Sequence, residues 1–165
     1  MMMHEGGCLC GALRYATQSI PNRVTYCHCK FCQRATGSAY LVEPVFSKVN
    51  FSVTSGGPAR YSSVSAGSGK AVITNFCANC GTKLFLEFER FPDGVGLFGG
   101  TYDVPNWFET IRDLPRRHIF LASAQIGTVI PSGIEAYREH AMLNDGTPVA
   151  PMIFDAPHVI GTPRL

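Results

Sequence analysis

Cys77-Ala78-Asn79-Cys80-Gly81-Thr82, running on into Lys83-Leu84-Phe85-Leu86-Glu87-Phe88-Glu89, is the stretch on which the fold turns. A redox C-x-x-C usually opens a helix that follows a strand. Here the residues after the pair alternate with period two, which predicts a strand with Leu84, Leu86 and Phe88 on one face. The pair then lies in a tight turn, with the shape of a zinc knuckle. Gly81 permits the left-handed backbone of such a turn, and the turn aims backbone N–H groups at the sulfurs. Buried free cysteines or redox thiols are the alternatives.

Cys8-Leu9-Cys10-Gly11 repeats that logic with one residue fewer. Cys8, Cys10, Cys77 and Cys80 supply four thiolates, the set that closes a tetrahedral structural zinc site and pins the N-terminal region to a distant hairpin. The remaining three of the seven cysteines stand in Cys27-His28-Cys29-Lys30-Phe31-Cys32. An odd count rules out a fully paired disulfide framework. Three thiolates leave one position for water or substrate, the arrangement of a catalytic site, unless His28 or His118 closes it. His28 lies between two ligands, so an extended backbone turns it away from them. Two Zn²⁺ per chain are expected, one structural and one reactive.

The donor set narrows the chemistry. Zinc held by three thiolates is electron-rich and acidifies a bound water less than a three-histidine site does. A soft, sulfur-rich site suits a fourth thiolate, and coordination deprotonates that thiol while leaving it nucleophilic. The expected substrate is a thiol rather than a hydrolytic water.

Around these motifs the chain reads as β. Gly and Pro recur at short intervals between brief β-type runs. Besides residues 83–89, the candidates are Leu13-Arg14-Tyr15, Val24-Thr25-Tyr26 and residues 40–45, 49–54, 70–76, 95–98 and 118–122. Residues 30–35 predict a helical turn or two beside the middle cysteines, and residues 105–108 and 134–140 predict short helical pieces. Ser55-Gly56-Gly57-Pro58 and Ala66-Gly67-Ser68-Gly69 are loops. The expected domain spans residues 6–140, followed by a Pro-containing C-terminal extension over 141–165.

Length and charge exclude several classes. The 165 residues fit one domain, and 45% hydrophobic residues suffice for a core. A net charge of +2 with no run of Lys or Arg argues against nucleic acid and against a polybasic membrane contact. No apolar run is long enough to span a bilayer. Met1-Met2-Met3-His4-Glu5 lacks the basic and apolar regions of a signal peptide. Clustered thiols without an export signal indicate a reducing cytoplasm. The oligomeric state is not encoded in any of these features.

Gly7-Cys8-Leu9-Cys10-Gly11-Ala12-Leu13-Arg14-Tyr15, Cys27-His28-Cys29-Lys30-Phe31-Cys32-Gln33-Arg34-Ala35-Thr36-Gly37-Ser38 and Asn75-Phe76-Cys77-Ala78-Asn79-Cys80-Gly81-Thr82 resemble, in this order, the glutathione-dependent formaldehyde-activating (GFA) family. His118-Ile119-Phe120 is similar to a shorter motif near that family's end. The resemblance runs from about Gly6 to Tyr137. It implies a mainly β, zinc-stabilised, β-tent-like fold of short antiparallel sheets with few short helices. It implies structural zinc on Cys8, Cys10, Cys77 and Cys80, and catalytic zinc on Cys27, Cys29 and Cys32. It also implies a carbon–sulfur lyase, condensing glutathione with formaldehyde to S-(hydroxymethyl)glutathione. Many family members carry a Lys-x-Pro-Trp-like motif after the His-Ile segment; here Ala122-Ser123-Ala124-Gln125-Ile126-Gly127 stands instead, which bears on glutathione itself more than on a thiol.

A thiol with carboxylates, such as glutathione, needs donors. Arg34, just past Cys32, is the candidate substrate-binding residue, since a guanidinium grips a carboxylate bidentately; a structural salt bridge is its other role. Thr36-Gly37-Ser38 reads as a turn, Arg60 and Lys70 as part of a solvated hairpin rather than a lid, Phe76 as core, Trp107 as core or an aromatic cleft wall, and His118 as a buried, satisfied histidine rather than a proton shuttle. The expected function is a zinc-dependent lyase acting on the thiol adduct of a small aldehyde. The alternative is a non-enzymatic zinc-binding module for a thiol or a protein partner.

Overall fold

The computed structural model describes residues 3–161. The chain is mainly β, with thirteen strands and one α-helix among the described residues. The strands are β1 (Met3–Gly7), β2 (Arg14–Gln18), β3 (Arg23–Cys27), β4 (Leu41–Ser47), β5 (Phe51–Ser55), β6 (Ala59–Val64), β7 (Ala71–Phe76), β8 (Lys83–Phe88), β9 (Gly94–Leu97), β10 (Arg116–Ile119), β11 (Val129–Ile130), β12 (Glu135–Ala136) and β13 (His158–Val159). The helix α1 is Lys30–Thr36. Among the described residues no helix is long and apolar enough to cross a membrane.

The chain forms two compact units, neither continuous in sequence. The first comprises residues 1–24 and 43–115, the second 25–42 and 116–165. In the first unit β1, β2 and β5 make an antiparallel sheet, and the order β4-β9-β8-β7-β6 makes a second antiparallel run. Tyr15, Phe46, Leu84, Leu86, Leu97 and Phe108 are fully buried there. Tyr15, Tyr102, Trp107 and Phe108 meet edge to face, and the His4 ring lies flat on Trp107 at 3.4 Å. Trp107 is core, as expected, and also borders a cavity of about 290 Å³ with Glu5 and Asp103. The alternation expected in β8 is only partial: Phe85 is buried as well as Leu84 and Leu86, because both faces of the strand are covered.

In the second unit β10 and β12 pair in parallel, and β11 pairs antiparallel with β13. Leu121, Ile130 and Ala136 form its apolar cluster, on which Phe154 and Ile160 pack. A backbone bridge between Ala136 and Met152 ties down the segment after residue 141.

Two elements differ from expectation. Residues 134–140 hold no helix; β12 pairs there with β10, and Gly133 adopts a left-handed φ of 74° just before it. The strand expected through residue 122 ends at Ile119. Phe120 takes a left-handed φ of 63° and turns the chain into a 3-10 turn at Leu121–Ser123.

Candidate metal centres

The first cluster is built by two hairpin turns of the first unit. Cys8 follows β1 directly, and Cys77 follows β7 directly. Each turn closes in the same way, with Cys8 N–H donating to Leu13 O at 3.0 Å and Cys77 N–H to Thr82 O at 2.9 Å. Gly11 and Gly81 then take φ 74°, the left-handed conformation the spacing predicts. A Cβ at either would meet nothing within 4 Å, so backbone conformation alone asks for glycine. Thr82 links the turns, since its hydroxyl oxygen accepts from Leu9 N–H at 3.2 Å and lies 3.2 Å from Cys80 Sγ. Those contacts from Thr82 pull the Cys80 thiol down to about 5.

The sulfurs of Cys8, Cys10, Cys77 and Cys80 all lie within 4.8 Å of one another. Cys8 Sγ is 3.5 Å from Cys10 Sγ, and Cys10 Sγ is 3.7 Å from Cys77 Sγ. A disulfide would need about 2.05 Å. A tetrahedron of thiolates around zinc at about 2.3 Å has edges of roughly 3.8 Å. The donor set and its spacing fit a four-thiolate metal.

The second cluster lies wholly in the second unit. Cys27 ends β3, Cys29 caps the N-terminus of α1, and Cys32 sits in its first turn. The three sulfurs also lie within 4.8 Å of one another, and among the described residues no fourth His, Cys, Asp or Glu donor joins them. Cys27 and Cys32 are buried, whereas Cys29 is half-buried. Cys29 Sγ accepts from Cys32 N–H at 3.4 Å. Hydrogen bonds from the Cys27 and Cys32 thiols and from the first N–H groups of the helix pull Cys29 down to about 3. The same coupling pushes Cys32 up. Three clustered thiols of which one ionises readily fit a metal that takes thiolates.

His28 does not join the cluster. It is fully buried instead, with its Nε2 3.0 Å from His118 Nδ1. Tyr26 stacks on His118 at 4.5 Å, and Tyr40 tilts against His28 at 4.9 Å. Burial pushes both histidines down to about 4, so the pair is neutral near pH 7. Neither histidine closes the triplet; His118 is buried and hydrogen-bonded through Nδ1, but it is not fully satisfied as expected, since its Nε2 has no partner among the described residues.

The other expected residues fall as follows. Arg34 is exposed and, among the described residues, carries no ion pair or hydrogen bond, so the salt-bridge role is not seen. It stands about 200° round α1 from Cys32, on the helix's outer side. Thr36-Gly37-Ser38 is the turn out of α1, with Gly37 at φ 67° and Thr36 Oγ1 donating to Cys32 O at 2.7 Å. Arg60 and Lys70 belong to the β6–β7 hairpin and pair with Glu87 of β8 and with Glu89 just beyond it. Phe76 is half-buried.

Sequence reasoning gave no role to Gln33, Ser123 or Gln125. Gln33 Nε2 donates to His28 O at 2.6 Å and to Ser123 O at 2.8 Å, and Gln33 Oε1 accepts from Gln125 Nε2 at 3.2 Å. Contacts across about ninety residues leave no local signature in the chain.

The fold and the two clusters define a class: small, β-rich proteins with one four-thiol and one three-thiol cluster, each of which could hold a metal ion. The sequence model described as glutathione-dependent formaldehyde-activating enzyme matches residues 3–123, a span that contains every cysteine. The chain belongs to that family. Among solved structures, the crystal structure of a Rhodobacter sphaeroides protein from a structural genomics programme is similar, with a TM-score of 0.51 and 19% identity. The likeness covers 68% of this chain and 98% of that one, and it speaks to the fold. No curated protein matches the chain in sequence.

Proposed function

We propose that the protein is a zinc-dependent carbon–sulfur lyase of the S-(hydroxymethyl)glutathione synthase type, acting on the adduct of a thiol with a small aldehyde. The observation that carries this reading is the three-cysteine cluster, with Cys29 half-buried and no fourth donor among the described residues. Family membership supports glutathione and formaldehyde as the reactants.

Cys8, Cys10, Cys77 and Cys80 would hold structural zinc, and Cys27, Cys29 and Cys32 the reactive zinc. Bound there, zinc supplies a Lewis acid that lowers the pKa of an incoming thiol and keeps the sulfur nucleophilic. In the reaction, the thiol sulfur bonds to the aldehyde carbon, the C=O π bond breaks, and the thiol proton ends on the new hydroxyl. Cys27 and Cys32 are buried and Cys29 is half-buried, so a substrate would approach the cluster at Cys29. Arg34, exposed on the outer side of α1 and without a partner among the described residues, is the candidate to reach a carboxylate of a long thiol such as glutathione. A reducing cytoplasm suits seven unpaired thiols.

The test is exchange NMR with ¹³C-formaldehyde and glutathione, since the adduct also forms without enzyme. The zinc-loaded protein should accelerate interconversion above that background, and Cys29→Ser should not. Cobalt-loaded protein should change its visible thiolate bands on adding glutathione but not S-methylglutathione, which keeps both carboxylates and lacks the thiol. A thiol response without acceleration would replace the lyase with a thiol-binding module. No acceleration and no thiol response would remove both.

A further inference from the structure

In a C-x-C pair the separation and aim of the two sulfurs depend on the backbone of the residue between them. That residue here is His28, and it is pinned at every polar group the backbone offers. Its N–H donates to Ile119 O at 3.0 Å. Its carbonyl accepts from Gln33 Nε2 at 2.6 Å and lies 3.1 Å from Ser123 Oγ, whose single proton is shared between this carbonyl and Phe120 O, also at 3.1 Å. Its ring is held by His118 at 3.0 Å.

Gln33 is itself fully committed. Its second N–H goes to Ser123 O at 2.8 Å, and its Oε1 accepts from Gln125 Nε2 at 3.2 Å and Lys30 Nζ at 3.3 Å. The segment that meets it depends on Phe120, a bulky residue at φ 63° and ψ 43°. An aromatic side chain is disfavoured in that left-handed region. The turn it makes carries Leu121–Ser123 back, so that the carbonyl and the hydroxyl of Ser123 both face the Gln33–His28 pair. A strained residue is thus retained where it presents these groups to the loop that bears Cys27, Cys29 and Cys32.

We infer that Gln33 and Ser123 are positioning residues of the three-cysteine centre. They lock the His28 peptide and, through it, set the spacing and aim of the Cys27 and Cys29 sulfurs. The inference rests on the reading of the triplet as a metal centre.

The experiment uses full-length protein loaded with cobalt, with Cys29→Ser as the reference that isolates the four-cysteine bands. Gln33→Leu keeps the bulk of the side chain and removes both donors. Ser123→Ala removes one hydroxyl, and Ser123→Thr restores it. In Gln33→Leu and Ser123→Ala the four-cysteine bands should stand unchanged, an internal check of the fold. The triplet bands should shift, and triplet affinity against a chromophoric chelator should fall about 10- to 100-fold, as for outer partners of metal ligands. Ser123→Thr should return both toward wild type. Triplet bands and affinity equal to wild type in Gln33→Leu, or in Ser123→Ala should Gln33→Leu prove insoluble, overturn the positioning role. A wild-type protein whose cobalt spectrum equals that of Cys29→Ser has no triplet metal, and that result overturns the metal-centre reading along with the inference.

Discussion

At the scale of single residues, the most exposed member of the triplet is also the one most ready to ionise. Cys29 is half-buried, caps α1, and is pulled down to about 3 by the neighbouring thiols and helix N–H groups. Serine keeps the shape and loses the acid, because an alcohol does not ionise near pH 7. Cys29→Ser should lower the metal content by one ion per chain while far-UV circular dichroism stays unchanged; loss of both metals together would contradict separate centres. Gly81 gives a second test, of the turn rather than the metal. At φ 74° with open space around its Cβ position, Gly81→Ala should cost about 1–2 kcal/mol of backbone strain alone. Gly57→Ala, equally open and without a left-handed φ, should leave the melting temperature where it was. The cysteines and their glycines were legible in the chain because ligand spacing and turn chemistry are local. Gln33 was not, because an amide declares its role only through carbonyls about ninety residues away.

At the scale of elements, β8 shows how a strand after a knuckle is fastened. Glu87 takes Lys48 Nζ at 3.1 Å, Arg60 Nη2 at 2.9 Å and Asn75 Nδ2 at 3.2 Å, joining β6, β7 and the turn at Lys48–Asn50. Burial alone would push its carboxyl up; the Lys48 and Asn75 hydrogen bonds, with the charges of Lys48 and Arg60, outweigh it and hold the group below its ordinary 4.5. Below that value the unfolded chain binds the proton more readily than the folded one. The contribution is therefore complete above pH 4.5 and is lost as pH falls through the folded value. Glu87→Gln should cost about 1 kcal/mol at pH 7, less at high salt because Lys48 and Arg60 are partly exposed. The gap between variant and wild type should close on acidification below 4.5, read from urea midpoints at each pH; a gap constant with pH would mean the carboxylate's charge contributes nothing. The β-type runs announced β8 by its period-two pattern, part of β2 and β3 by theirs, and β7 and β9 without one. They missed β6, whose residues are mostly exposed and carry no alternation. They also misread residues 134–140, where tertiary pairing of β12 with β10 overrides a weak helical tendency.

At the scale of the whole molecule, the cysteines divide as the chain does. Cys8, Cys10, Cys77 and Cys80 belong to the unit of residues 1–24 and 43–115, and the triplet to the unit of 25–42 and 116–165. The four-cysteine cluster clamps two turns whose cysteines stand 67 residues apart between Cys10 and Cys77, so metal there closes a long loop and its binding energy is folding energy for that unit. The triplet draws its donors from one short segment, 27–32, and closes almost no loop. It also has one donor fewer and a half-buried member, so a competing chelator reaches it first. Stepwise removal of metal should therefore be ordered. A mild chelator should take the first ion with little change in near-UV circular dichroism and little change in hydrogen exchange across 3–24 and 43–115. A stronger chelator should take the second together with exchange protection in those segments. Cys77→Ser should reproduce the second state directly, with a large loss of thermal stability or no soluble protein. Removal of both ions in a single step, or a Cys77→Ser protein with an unaltered melting curve, would show that the four-cysteine cluster does not hold its unit together.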